Sequence, residues 1–338
     1  MTLHSPGPAT AVTMGEPAGI GAEITLKAWL QRGIAGLKPF FLIGDVEHVR
    51  KTARDLSLPA DLISIASPDQ ATRTFEEALP VLQVPLAVPA VPGRPDPTNA
   101  RAVQQSIERA VELVRHDAAN AVVTNPIQKS TLAAAGFRFS GHTDYLAHLT
   151  QSSSAVMMLA SRHLRVVPLT VHVALRNAIE SLSPDIIVST IQVTHAALQN
   201  DFGIPLPRIA VAGLNPHAGE EGIFGIEERL ILDPALAELR DMGIAVDGPR
   251  PADTMFHEAA RRSYDVAICM YHDQALIPIK TLDFHGAVNT TLGLPIVRTS
   301  PDHGTALDIA GRGVADPSSF IEAIRLAQEI ARRRASRI

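Results

Sequence analysis

The chain has 338 residues, 46% of them hydrophobic and 19% charged, with a formal net charge of −5 and a single cysteine, Cys269. That length exceeds what one hydrophobic core usually holds, so two domains are expected, and the composition is that of a soluble globular protein rather than a disordered one. A slightly acidic balance excludes nucleic-acid binding by bulk positive charge, and one cysteine excludes a disulfide scaffold or a Cys-based zinc finger.

Met1 to Thr13 carries no basic segment followed by an apolar stretch, so no secretory signal is read there. No apolar run approaches the ~20 residues that cross a bilayer. A cytoplasmic protein that touches neither membrane nor nucleic acid is expected. Ala9–Met14 reads as a strand, followed by a glycine-rich turn and a helix from about Gly21 to Gln31. Pro39–Gly44 (PFFLIG) is a second strand. The stretch 81–97 is proline-rich and reads as an ordered surface loop or one that packs on a partner. Val103, Ile107, Ala110, Val111 and Val114 fall on one face of a helix over 98–116, with Thr98 as its expected N-cap. Strands follow at Ala121–Thr124, Ala155–Leu159, Leu164–Val173, Ile209–Leu214 and Val266–Tyr271. Helices are expected at 126–135, 184–200, 227–241, 253–263 and 317–334. Apolar strands without polar alternation, separated by helices, predict an α/β fold with a mostly parallel sheet covered on both faces. Arg332, Arg333 and Arg334 read as a solvated helix end whose cations complement the helix dipole.

Of 13 histidines, ten lie between positions 142 and 303, which directs attention to that region. His172, His217 and His272 each follow an apolar strand, the edge where open α/β sheets place ligands. Three neutral imidazoles with positions left over suit a catalytic divalent metal, while three separate strand caps are the plainer reading. Lys280, Asn289 and Arg298 form a cationic and polar set suited to a carboxylate or phosphate, or else are surface groups. The segment Gly141–Asp144, with His142 and Thr143, suits anion binding at a helix start or simple capping. The turn Gly15–Gly21 is either an anion-attracting loop or a tight strand-to-helix connection. Asp302–Gly313 is a glycine-punctuated loop with a carboxylate, Asp308, of the type that can accept both ribose hydroxyls.

The segments TMGEPAGIGAEI, VVTNPIQKS, SGHTDYLA, GLNPHAGE, PADTMF, MYHDQALIPIK and VNTTLGLPIVRTSPDHGTALDIAGRG, in order from about residue 10 to residue 330, resemble the 4-hydroxythreonine-4-phosphate dehydrogenase family of pyridoxal 5′-phosphate biosynthesis. The resemblance implies a homodimer of two α/β/α domains of isocitrate/isopropylmalate dehydrogenase-like type, with the active-site cleft between them. The expected division is 1–128 plus 305–338 on the cofactor side and 129–304 on the metal, substrate and dimer side. It further implies metal ligands His172, His217 and His272 drawn from both subunits, and substrate contacts His142, Thr143, Lys280, Asn289 and Arg298. HGTALDIAG also resembles the adenosine loop HGSAPDIAG of isopropylmalate dehydrogenases, so His303, Gly304, Asp308 and Ile309 are expected at the cofactor. Asp308 would repel a 2′-phosphate, which favours NAD over NADP.

The implied reaction oxidises 4-phosphohydroxy-L-threonine to 2-amino-3-oxo-4-(phosphonooxy)butanoate, which loses CO₂ to give 3-amino-2-oxopropyl phosphate. A divalent ion (zinc, cobalt or magnesium) assists, and Asp253, Asp273 and Lys280 stand as candidate proton acceptors. Relatives that oxidise threonate or erythronate 4-phosphate, or dihydrodiol dicarboxylates, share the pattern, and a metal-dependent phosphate-ester hydrolase is the rival class. Three features depart from the family pattern: Glu221 stands where members carry glycine in HAGEGG, Phe224 follows it, and His285 replaces another residue.

Overall fold

The computed structural model describes residues 7–337. Met1–Pro6, where part of the N-terminal reading falls, lie outside the described residues. Twelve strands are present among the described residues: β1 Thr10–Thr13, β2 Phe40–Gly44, β3 Leu62–Ile65, β4 Leu79–Gln83, β5 Val122–Val123, β6 Val156–Ala160, β7 Arg165–Pro168, β8 Ile209–Ala212, β9 Val246–Arg250, β10 Val266–Cys269, β11 Val288–Leu292 and β12 Arg298–Pro301. The chain forms two compact units, one of Met1–Ser152 with Leu294–Arg332 and the other of Ser153–Gly293 with Arg333–Ile338. These bounds differ from the expected 128 and 304. Residues 129–152 join the first unit because Tyr145 is buried and its hydroxyl donates to Glu108 Oε1 at 2.7 Å. Residues 294–304 join it because β12 pairs with β5.

In the first unit the strand order is β3-β4-β2-β1-β5-β12, and every pairing is parallel. All five residues of β2 are buried, as an uninterrupted apolar run in a sheet covered on both faces requires. The helix Ala100–Arg115 lays Val103, Ile107, Ala110 and Val111 into the core. On the same helix Ser106 accepts the Met14 N–H at 2.9 Å and donates to Ile43 O at 2.7 Å, bonding it to the ends of β1 and β2. Its entry is not capped by Thr98 as expected: Asp96 accepts the Thr98 N–H at 2.9 Å and opens a short 3₁₀ turn, Pro97–Asn99. The proline-rich stretch is ordered, since Asn99 Oδ1 accepts the N–H groups of Ala87 and Val88 and Asp45 Oδ2 accepts that of Leu86.

In the second unit the order is β11-β6-β7-β10-β8-β9. Strands β7, β10, β8 and β9 run parallel, while β6 is antiparallel to both β7 and β11. The exception follows from chain length: a tight turn closed by Ser161 N–H to Leu164 O joins β6 to β7, too short for a crossover. Leu159, Val166, Ala210, Ala212, Ala267, Cys269, Ala275 and Ile279 form one buried core beneath these strands.

Two expectations are corrected here. The helix expected at 253–263 is a 3₁₀ turn, Ala252–Thr254, and a short helix, Glu258–Arg261, because Thr254 Oγ1 bonds back to Pro251 O and His257 is extended at φ −71° and ψ 160°. The Arg332–Arg334 run is not simply a solvated helix end. Arg334 makes a bidentate pair with Asp201, at 2.7 and 2.8 Å, and the Asp201 side chain is only 5% exposed.

Candidate active site

Strands β7, β10 and β8 are adjacent and parallel, so the residues that follow them emerge on one edge of the sheet. His172, His272 and His217 lie three to five residues beyond those three strands. The rings of His172 and His272 stand 5.9 Å apart, tilted by 42°. They line a cleft of about 320 Å³ with Thr170, Val171, Tyr271 and Asp273. Asp273 Oδ1 lies 2.7 Å from His272 Nδ1, the carboxylate–imidazole contact that fixes a ring and leaves its other nitrogen for a ligand.

His217 is not brought to the other two. Its ring lies 5.6 Å from that of Phe224, and among the described residues no three His, Cys, Asp or Glu side chains form a metal-sized group. Its backbone explains the placement. His217 to Glu221 all have positive φ: 52°, 52°, 80°, 41° and 56° in turn. Five consecutive residues thus form a left-handed turn, a conformation that only the glycine among them adopts without steric cost. A buried carboxylate anchors it, with Glu228 Oε1 accepting the Asn215 N–H at 2.7 Å and Oε2 accepting Asn215 Nδ2 at 2.9 Å. A Cβ on Gly219 would meet Glu228 Oε2 at 2.7 Å, so this glycine is required for both its conformation and its close approach.

A second cluster lies in the first unit. Arg298 on β12 is 3% exposed, and its Nη2 donates to Thr124 Oγ1 at 2.8 Å. Burial pushes its pKa down to about 10, so it stays cationic at neutral pH. His142 opens the helix His142–Thr150, to which no side chain supplies a cap. Its Nε2 is buried and has no hydrogen-bond partner. Burial, then the charges of Arg298 and Lys129, hold its pKa well below the ordinary histidine value, so the ring is neutral. His142 thus lies within the field of Arg298, with Thr143 next to it in the same helix, and a second cation close by is Lys129, which the residue patterns had not singled out. Its one signal was a place inside VVTNPIQKS.

Lys280 and Asn289 belong to the second unit. Lys280 Nζ lies 5.6 Å from the centre of the Phe284 ring, and Asn289 on β11 has a buried Oδ1 without a partner. Asp253 is exposed in its 3₁₀ turn. His285 is exposed, with its ring 5.4 Å from that of Phe284.

The loop around Asp308 is held from two sides within the first unit. Ile20 N–H bonds Thr305 O at 3.1 Å, Thr305 Oγ1 donates to Gln128 Oε1 at 3.0 Å, and a Cβ on Gly93 would meet Leu307 O at 2.9 Å. Asp308 itself is exposed, His303 Nδ1 lies 3.0 Å from Gly304 O, and His303 Nε2 is buried without a partner. This decides between the two readings of the Gly15–Gly21 turn. The N–H groups of Glu16, Ala18, Gly19 and Ile20 bond Pro126 O, Glu16 Oε1, Glu16 O and Thr305 O. They are spent within the protein, so the turn is a strand-to-helix connection that supports the 303–313 loop and not an anion cradle.

A family model described as "Pyridoxal phosphate biosynthetic protein PdxA" matches residues 37–327. A 4-hydroxythreonine-4-phosphate dehydrogenase of Methylorubrum populi is 53% identical over 335 residues, covering 97% of this chain and 96% of the relative. The crystal structure of the enzyme of that name from Klebsiella pneumoniae matches with a TM-score of 0.87 at 40% identity, covering 96% of this chain and 99% of the other. A terephthalate 1,2-cis-dihydrodiol dehydrogenase from Burkholderia xenovorans matches with a TM-score of 0.64 at 30% identity, covering 95% and 98%. This chain belongs to the PdxA family of pyridoxal phosphate biosynthetic proteins.

Proposed function

We propose that the protein oxidises the secondary alcohol of 4-phosphohydroxy-L-threonine with NAD, giving 2-amino-3-oxo-4-(phosphonooxy)butanoate, which decarboxylates to 3-amino-2-oxopropyl phosphate. The observation that carries this reading is the pair His172 and His272, 5.9 Å apart at the carboxyl edge of adjacent parallel strands, with Asp273 orienting the second ring. An exposed and a half-buried imidazole on one cleft suit a divalent ion, and His217, on the next strand of the same edge, is the third ligand. The family resemblance places the trio across a subunit boundary. Val173 and Leu175, exposed beside His172, are apolar side chains that a second copy of the chain would cover.

Once bound, the ion supplies Lewis acidity to the alcohol oxygen, and the nicotinamide supplies the hydride acceptor. The protein's own part is positioning. His142, Thr143 and Arg298 hold the phosphate end, and Lys280 and Asn289 hold other polar groups of the substrate, so binding energy away from the reacting carbon fixes the alcohol for reaction. The alcohol C–H leaves as hydride and the O–H as a proton. Asp253, Asp273 and Lys280 remain the candidates to take that proton, and the Asp273 contact with His272 favours an orienting role for it. Loss of CO₂ leaves an electron pair that the new carbonyl accepts. Asp308 accepts the ribose hydroxyls, with His303, Gly304 and Ile309 beside it.

The test is a parallel assay of 4-phosphohydroxythreonine, threonate 4-phosphate and erythronate 4-phosphate, each with NAD and NADP. Turnover of the first with NAD, well above the others, is expected. Phosphate release without nicotinamide reduction would replace this reading with a hydrolase.

A further inference from the structure

We infer that Lys129 is a third anion-binding group of the phosphate pocket and the residue that fits it to a doubly charged end group. This rests on the reading of His142, Thr143 and Arg298 as the phosphate end. A phosphate monoester carries about −1.5 to −2 charges at neutral pH. His142 is neutral there, so among the three groups already assigned only Arg298 offers a full charge, and the anion would be half compensated.

Lys129 supplies the missing cation from a separate element. It begins the helix Lys129–Ala134 and lies across Gly141, so that a Cβ at 141 would meet its Cε at 3.2 Å and its Nζ at 3.5 Å. Glycine at 141 therefore lets the ammonium reach the start of the helix His142–Thr150, whose first turn lacks a side-chain cap. Peptide N–H groups and the helix dipole favour an anion at that point. Lys129 and Arg298 are also the two charges that act on His142, so both lie close to its ring. The buried His142 Nε2, with no partner in the protein, is the polar atom an anion would satisfy. Among the described residues Lys129 has no carboxylate partner to neutralise it.

The experiment measures kcat, KM for 4-phosphohydroxythreonine, KM for NAD, and the inhibition constant of inorganic sulfate in Lys129→Met, Lys129→Arg and Arg298→Met. Sulfate keeps its double charge across the working pH range. Lys129→Met is expected to raise both the substrate KM and the sulfate constant about tenfold, the loss of one charge-assisted hydrogen bond at an exposed side chain. The NAD KM and the thermal midpoint should stay unchanged, and Lys129→Arg should recover most of the loss. A sulfate constant that weakens in Arg298→Met but not in Lys129→Met overturns the role of Lys129 and leaves the phosphate pocket standing. If neither variant weakens it, the pocket assignment itself is wrong. A fall in kcat alone in Lys129→Met also overturns the proposal. Should Arg298→Met fail to fold, Thr143→Val takes its place as the second arm.

Discussion

Replacing Glu228 with alanine should release His217 from its place on the sheet edge. The four non-glycine residues of the left-handed turn, His217, Ala218, Glu220 and Glu221, have φ between 41° and 56°. Each costs about 1–2 kcal/mol there, or about 4–8 kcal/mol together. The opposing contribution from Glu228 is two hydrogen bonds to a carboxylate, at 2.7 and 2.9 Å from Asn215, worth about 1.5–3 kcal/mol each. The two totals are of the same size, so the turn persists only while the anchor is present. Without it the backbone should relax into the right-handed region and give back its strain. Urea unfolding of Glu228→Ala should then show a net change close to zero, far less than the loss of about 3–6 kcal/mol that the two broken bonds alone imply.

The larger effect should be on metal binding, in which His217 is the proposed third ligand. Misplacing a supporting group typically weakens metal binding about 10–100-fold, and cobalt titration of the purified protein reads this directly. A companion change checks the same reasoning with the opposite sign. Glu221→Gly restores the residue the family pattern carries and removes one strained position, so it should stabilise the protein by about 1 kcal/mol. A Glu228→Ala protein with unchanged cobalt affinity would refute the account, whatever its stability. So would a Glu221→Gly protein that is less stable than the parent.

Three further outcomes are expected. Asp308→Lys should move the ratio of kcat/KM for NAD and NADP toward NADP, because the exposed carboxylate gives way to a cation that can meet a 2′-phosphate; an unchanged ratio removes Asp308 from the cofactor site. Arg334→Ala should cost about 3 kcal/mol in chemical denaturation, since it leaves the buried Asp201 carboxylate uncompensated, and a loss below about 1 kcal/mol would mean that solvent already reaches it. Burial, followed by the charge of Asp96, raises the Glu16 pKa even though the Ala18 N–H lowers it, so the native state binds its proton more tightly than the unfolded chain does. Stability from this group is therefore full below the unfolded value and lost as pH rises through the folded one. Glu16→Gln should raise the thermal midpoint at pH 7 and lose that advantage near pH 4; equal midpoints at both pH values would contradict it.

The apolar runs that mark β1, β2, β5, β6, β7, β8 and β10 were legible because strands buried on both faces need no alternation. Five others, β3, β4, β9, β11 and β12, were not, and for three of them the reason is local. β4 contains Pro80, which argues against a strand by pattern, yet it pairs with both β3 and β2. Only Ile65 of β3 is buried. β12 reads Arg-Thr-Ser-Pro, four polar or ring-closed residues, all of them buried. Its burial is paid for by specific bonds, Arg298 to Thr124 and Thr299 Oγ1 to Ala323 O, which no hydrophobic pattern encodes. The helix His272–Leu282 was hidden by Pro278 in its last turns.

The candidate site divides along the same line. A parallel arrangement forces whatever follows β7, β10 and β8 onto one edge, so the common placement of the three histidines could be read from three apolar runs followed by polar residues. Ring direction is a different kind of information. His272 is aimed by its neighbour Asp273, a contact within reach of the sequence. His217 is aimed by a turn of reversed hand, which exists because Glu228, eleven residues on, satisfies Asn215, and because Gly219 leaves room for that carboxylate. Likewise the end of the Lys129 side chain lies where a Cβ at Gly141 would crowd it, at 3.2 Å from its Cε. In both places the deciding residue is a glycine whose role depends on what approaches it through space. Histidine and lysine declare the chemistry by type; where that chemistry converges is set by atoms that these glycines leave out.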